Sequence, residues 1–386
     1  MRLLLPLDDP AVRDRALARA GGISLLRRIV RLAERAGFTD IQVLVEGTAE
    51  AVGPNLIGTR AILRGVPDVL EGPGVLLSPL FVPDADWLQG ECASHGRIGL
   101  GATASGDVVA VCLGRRPLPR GEAPTWQPAD LAARLEDGAV RREARGDLLL
   151  DEEERLGFER RLFASLVKDT EGFMSRHVER PLSLSVSRLL KDTRVTPNQM
   201  TVVSMLVGLV GAACFAVPGR GPAIAGALLF LAHSILDGCD GELARLRLQE
   251  SRWGGVLDYW SDNVVHAAVF LGIGIGWALE LQQGWPLLLS AAAILGTVVA
   301  ALSVYRHAMG PRPEGAPLYT SVSTSQGPST LVRIADALSR RDFIWLVLLL
   351  AATGWIRAFL VLGAVGAPAY AVAILAIRAR EGGDPC

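Results

Sequence analysis

Lysine is nearly absent from this chain of 386 residues: Lys168 and Lys191 are the only two, and arginine supplies the other basic charges. With 39 basic and 40 acidic side chains the net charge is −1, which excludes the basic excess of a nucleic-acid binder. The arginine preference reads as a genome composition bias. Cysteine is scarce as well. Cys92, Cys112, Cys214, Cys239 and Cys386 are odd in number, widely spaced and without a Cys-x2-Cys pair. That argues against a disulfide framework and against a zinc site. The opening stretch Met1–Leu7 is too short for the apolar core of a secretory signal. Apolar residues are not in short supply. They make up 50% of the chain, and the mean hydropathy of +0.33 is too high for an ordinary soluble protein. The length allows two domains. The first half is mixed and charged, and the second holds the long apolar runs.

Residues 1–150 read as a cytosolic α/β domain. Leu25, Leu26, Ile29, Val30 and Ala33 recur at helical spacing, with Ser24 suited to cap the start and Gly37 the end. Leu3–Leu5, Ile41–Val45, Val75–Leu77 and Val108–Cys112 are short apolar strands. Strand, helix and strand in that order predict a mostly parallel sheet. The order, with Gly21 and Gly22 before the helix and Gly37 and Phe38 after it, resembles sugar-nucleotidyltransferase domains. Two features of those domains are missing. Pro6, Leu7, Asp8, Asp9 and Pro10 stand where a glycine-rich nucleotide loop belongs, and Ser78, Pro79 and Leu80 stand where a metal-binding aspartate belongs. A backbone without glycines cannot wrap phosphates closely, so the domain is expected to lack transferase activity. Asp84 and Asp86 read as solvated loop carboxylates.

Residues 151–196 are helical and amphipathic in patches, with Arg180, Arg188 and Lys191 among apolar side chains. Such segments ahead of a membrane span lie along the interface. Residues 197–386 then hold six candidate spans: Met200–Val217, Pro222–Leu236, Val256–Leu279, Trp285–Val304, Phe343–Trp355 and Phe359–Ile377. The expected fold is thus an all-α polytopic membrane bundle of about six helices behind a cytosolic α/β domain. Arginines in the 306–341 connection and in the tail place both termini on the cytosolic side. Ser204, Gly208 and Ala212 form a small-residue stripe for close helix packing.

Between the second and third spans lies the most informative stretch. Asp237, Asp240, Gly241, Ala244 and Arg245 fall within an arc of about 140° on a helix. Gly254, Asp258 and Asp262 follow at intervals of four and share one stripe of the next helix. Ionisable groups so near a membrane are costly and are usually functional. Four crowded aspartates repel, and a hard divalent cation relieves them. Gly241 and Ala244 leave room for a flat ligand, and Arg245 is placed for a phosphate. The bland alternative, a seam of mutually satisfied charges, needs a balance that Arg245 and Arg247 do not supply against four Asp and Glu242.

The spacing D-x2-D-G-x2-A-R-x8-G-x3-D-x3-D resembles that of the CDP-alcohol phosphotransferases (also called CDP-alcohol phosphatidyltransferases), and this sequence matches every position of it. Some members of that family carry a nucleotidyltransferase-like domain ahead of the membrane domain. The resemblance implies that Asp237, Asp240 and Asp258 hold Mg2+ or Mn2+ against the pyrophosphate of a CDP-linked donor, CDP-diacylglycerol or CDP-inositol. It makes Asp262 a further metal ligand or the base for the acceptor hydroxyl, with CMP leaving. Gly241, Ala244, Arg245 and Gly254 would line the nucleotide, and Asn198 and Thr201 either join them or cap a helix. Arg306, Arg340 and Arg341 are candidate contacts for an anionic acceptor such as inositol phosphate, or flanking charge. The family also implies a homodimer in the lipid bilayer of a bacterium or archaeon, with the site and the front domain facing the cytoplasm and no nucleic-acid partner. The reading from another class is a transporter or ion pathway that uses the membrane carboxylates. Transporters show paired repeats with broken helices, and the motif has no second copy.

Overall fold

In a computed structural model of the protein, residues 2–46, 49–70, 73–93, 99–113, 118, 119, 121, 123–135, 139–167, 174–308 and 343–381 are described. The chain divides into two compact units, the first Met1–Ser165 together with Leu246–Leu248, the second Leu166–Arg245 together with Gln249–Cys386.

The first unit is built on a seven-stranded sheet. Its strands are β1 (Arg2–Leu7), β2 (Asp40–Val45), β3 (Ile62–Gly65), β4 (Gly74–Leu77), β5 (Gly99–Ala102), β6 (Val108–Leu113) and β7 (Val140–Glu143). Their spatial order is β7-β5-β6-β4-β1-β2-β3. Pairings of β1 with β2 and β4, of β2 with β3 and of β5 with β7 are parallel; β6 runs antiparallel to both neighbours. The mostly parallel sheet expected from the strand–helix–strand order is therefore present. Side chains alternate across it as a strand requires. Leu3, Leu5 and Leu7 enter one core with Ile41, Val43 and Val75, while Leu4 enters a second core with Leu44, Leu76 and Leu100. Helix α1 (Leu25–Arg35) covers the first face with Leu26, Ile29, Val30 and Ala33. Ser24 caps it, its Oγ accepting the Arg27 N–H at 3.2 Å, and Gly37 ends it at φ +91°.

Helix α2 (Glu152–Ala164) moves the expected boundary at residue 150. Its Phe158 is buried in the same core as α1, and Leu162 packs against that core. The helix therefore belongs to the α/β unit; its Phe158 and Phe163 are buried, while Leu156 is exposed.

The second unit is helical. Helix α3 (Arg180–Leu190) follows a π-helical turn over Ser175–Glu179. After it come α4 (Pro197–Phe215), α5 (Arg220–Leu246), α6 (Arg252–Leu281), α7 (Pro286–Ala308), α8 (Phe343–Thr353) and α9 (Ile356–Glu381). Five of these, α4, α5, α6, α7 and α9, are long and apolar enough to cross a membrane. The sixth expected span is represented by the 11 residues of α8, about 16 Å of helix against a hydrocarbon core of about 30 Å.

Glycine permits the close approach of α4 to α6. A Cβ on Gly272 would overlap the carbonyl oxygen of Ala212, and one on Gly276 that of Phe215. Gly208 faces Val265 at 2.6 Å from the position its Cβ would take. The stripe Ser204, Gly208 and Ala212 is buried throughout, as its small residues predict.

Candidate metal centre

Helix α5 does not stop where its apolar run ends at Leu236. It continues unbroken to Leu246, so the first half of the motif lies on helical backbone. A turn through Leu248 at φ +53° leads to Ser251, which caps α6 by accepting the Gly254 N–H at 3.0 Å. Asp258 and Asp262 then stand one and two turns further along.

Asp237 and Asp240 are buried, at 3% and 6% exposure, and Asp258 is half-buried. One carboxylate oxygen from each lies within 4.8 Å of the others. These are hard donors of like charge, from two helices, held in one place. Oxygens on opposite sides of one magnesium or manganese ion stand about 4.2 Å apart, so small side-chain rotations would close the set around a cation. The three residues fit a divalent metal.

Asp262 is not in that group of three. Its Oδ1 lies 3.5 Å from Nε2 of His233, a buried residue on α5. Thr201 does not cap its helix; it is buried, and its hydroxyl donates to Asp240 Oδ2. Thr196 caps α4, accepting the Gln199 N–H at 3.3 Å while Gln199 Oε1 accepts the Thr196 N–H at 2.9 Å. Asn198 is exposed, and its Oδ1 lies 3.1 Å from where a Cβ on Gly254 would sit. A Cβ added to Gly241 would meet only the Arg245 guanidinium, at 3.5 Å or more. Space therefore remains beside the arginine, whose Nε is buried without a hydrogen-bond partner among the described residues. Ala244 is half-buried next to it. An unpartnered guanidinium nitrogen beside open backbone suits a phosphate oxygen.

The acceptor candidates divide. Arg306 is exposed in the last turn of α7. Arg340 and Arg341 lie outside the described residues.

Glu242 changes the charge count. It is fully buried and faces away from the aspartates into a polar cage: Arg180 Nη1 at 2.9 Å and Ser183 Oγ at 2.6 Å on Oε1, and Ser187 Oγ at 2.6 Å on Oε2. Its charge is thus balanced by Arg180 and does not belong with the four aspartates. Arg180, expected among the charges of an interfacial segment, is thus paired within the protein. Glu179, also buried, accepts from Ser234 Oγ at 3.1 Å and from Trp345 Nε1 at 3.0 Å. Sequence reasoning missed His233 and Glu179. The available signal for His233 was a polar residue one helical turn before Asp237 inside an apolar run.

In the first unit, the strand order reverses at β1, whose neighbours are β2 and β4. The carboxyl end of the strands at such a point is where α/β sheets take ligands. Here the chain itself occupies it. The Trp126 side chain is fully buried. The Trp126 backbone N–H donates to Asp8 Oδ2 at 2.6 Å and its ring Nε1 to Pro67 O at 2.9 Å, and Gln127 Nε2 donates to Pro6 O at 2.9 Å. Gly21 and Gly22 form the turn of a two-stranded hairpin, and the Gly21 N–H is engaged by Glu159 at 3.2 Å. Asp84 and Asp86 are exposed, as expected, but only Asp84 is in a loop; Asp86 stands in the first turn of a helix over Ala85–Ala93.

Residues 194–363 match the CDP-alcohol phosphatidyltransferase family model. The bifunctional IPC transferase and DIPP synthase of Thermococcus kodakarensis is 40% identical over 150 residues, 38% of this chain and 32% of that protein. The protein of the same name from Aquifex aeolicus is 29% identical over 197 residues, 50% of this chain and 41% of that one. The phosphatidylinositol phosphate synthase of Corynebacterium glutamicum is 33% identical over 126 residues, 32% of this chain and 55% of that protein. The chain thus spans less than half the length of the two bifunctional relatives. The stretch 194–363 that matches the family model contains the whole aspartate motif.

Proposed function

We propose that the CDP-alcohol phosphatidyltransferase domain of this chain transfers a phosphoalcohol group from a CDP-linked donor to an acceptor alcohol, with release of CMP. The observation that carries this reading is the convergence of Asp237, Asp240 and Asp258 from two helices within 4.8 Å. Those three residues would hold magnesium or manganese. Bound there, the metal supplies neutralisation of the charge on the donor's phosphates and on the departing CMP. Arg245 would bind a phosphate oxygen through its unpartnered Nε. Gly241, Ala244 and Gly254 leave the backbone open to the nucleotide, and exposed Asn198 stands beside Gly254. Asp262, set apart from the trio, is the proposed base. It takes the proton of the acceptor hydroxyl; that oxygen attacks the phosphorus bearing the donor's alcohol; the bond to CMP breaks and CMP leaves.

The acceptor is proposed to be an inositol phosphate. The similarity to the Corynebacterium glutamicum relative, a phosphatidylinositol phosphate synthase, supports it. Arg306, Arg340 and Arg341 are the proposed acceptor contacts. The donor is CDP-diacylglycerol or CDP-inositol. The site and the first unit are placed on the cytoplasmic side of a bacterial or archaeal membrane, supported by the arginines of the 306–341 connection. A homodimer follows from the family resemblance.

The test is incubation of the purified protein with labelled CDP-diacylglycerol or CDP-inositol and a panel of alcohols that includes inositol phosphate, with CMP as the readout. Chelator should abolish CMP release, and magnesium or manganese should restore it. Full activity in excess chelator would sink the metal-dependent reading.

A further inference from the structure

Asp240 has neighbours on two sides. With Asp237 and Asp258 it contributes one oxygen to the trio. From α4 it meets Thr201, whose hydroxyl donates to its Oδ2. Thr201 is 2% exposed and Asp240 6%, so water does not compete for that bond. A threonine hydroxyl has one hydrogen to give. Two acceptors lie within its reach, Asp240 Oδ2 and the backbone oxygen of Pro197 at 3.3 Å. A carboxylate that binds a metal is ionised and only accepts. It is also the stronger acceptor of the two, so the hydrogen goes to Asp240.

The donor stands on fixed ground. Pro197 opens α4, and Thr196 and Gln199 close a reciprocal cap on its first turn. Met200, beside Thr201, shares a buried apolar cluster with Cys239 and Leu243 of α5, which flank Asp240 in sequence. The branched Cβ of threonine leaves few side-chain orientations in a helix. We infer that Thr201 is a positioning residue for the metal: by holding Oδ2 it stops the Asp240 carboxylate from rotating and fixes where its oxygens stand towards Asp237 and Asp258. The inference rests on the metal reading of the trio proposed above. Carboxylates that repel one another turn apart unless something holds them. A fixed donor behind one of them leaves the ion less to order when it binds.

The test uses the full-length protein in detergent and Mn2+ alone as the probe, with the free ion followed by electron paramagnetic resonance through a titration. Thr201→Val keeps the branched shape and removes the hydroxyl; Thr201→Ser keeps the hydroxyl and removes the methyl. Thr201→Val should weaken Mn2+ binding about tenfold to a hundredfold, the usual cost of losing a partner behind a metal ligand, and Thr201→Ser should bind within about threefold of wild type. CMP release measured against Mn2+ should divide in the same way: the half-saturating metal concentration rises in Thr201→Val, while turnover at saturating metal returns towards wild type. Wild-type Mn2+ affinity in Thr201→Val overturns the inference. The opposite order, with Thr201→Ser weak and Thr201→Val intact, is a packing effect and overturns it too, as does equal weakening in both. A wild type that binds no Mn2+ removes the metal reading and the inference with it. Mn2+ bound by wild type, lost in Asp240→Asn and unchanged in Thr201→Val removes the inference alone.

Discussion

At the scale of single residues, Asp237 and Asp262 have the same side chain in different company. Asp237 is buried with Asp240 and Asp258 close by, whereas Asp262 is half-buried and turned to His233. Substitution by asparagine keeps size and removes the basic oxygen, so the two sites should fail differently. Asp262→Asn is expected to bind the CDP-linked donor and metal as wild type does, while turnover falls at least about a hundredfold, the low end for loss of acid–base catalysis. Asp237→Asn is expected to weaken metal and donor binding themselves. Donor titration beside CMP release for both variants checks this. If Asp262→Asn loses donor affinity as badly as Asp237→Asn and recovers turnover at high metal, Asp262 is chiefly a ligand.

At the scale of elements, α4 and α6 approach until backbone meets backbone. Gly272 touches the turn of α4 that holds Ala212, so a larger side chain there must push the helices apart. Overpacking of this kind costs about 1–3 kcal/mol. Gly272→Val should lower the thermal unfolding midpoint in detergent. Gly284, with nothing within 4 Å of an added Cβ, is the control: Gly284→Ala should change stability by less than about 0.5 kcal/mol. Equal effects at the two positions would remove the close-packing account. Helix α3 makes a related point. Its exposed face carries Leu182 and Leu189, and its buried face carries Ser183 and Ser187 against Glu242. Amphipathicity was legible in the sequence, but which face turns inward was not, because the partner that reverses it lies 55 to 62 residues away.

At the scale of the whole molecule, the two units differ in what their sites can accept. The membrane unit leaves room beside Gly241, whereas the first unit fills the carboxyl end of β1 with Trp126 and Gln127. The full chain, given CTP and inositol phosphate with magnesium, is therefore expected to form no CDP-inositol. Product detected by chromatography would show that the segment around Trp126 yields to nucleotide. The missing glycines were readable from residues 6–10 alone; the occupant of the vacated place was not.

The sequence by itself determined the helical period of the motif, the four-residue stripe from Gly254 to Asp262, the cap at Ser24, and the alternation of Leu3 to Leu7. These are local properties, because backbone geometry repeats over a few residues and a side chain's direction follows from its place in the repeat. Only the tertiary structure decided that Thr201 serves Asp240, that Glu242 is neutralised by Arg180, and that His233 faces Asp262. Each of those depends on where separate helices cross and how they are rotated. That is set by close-packed side chains and glycines far apart in the chain, and spacing along one helix carries no record of it.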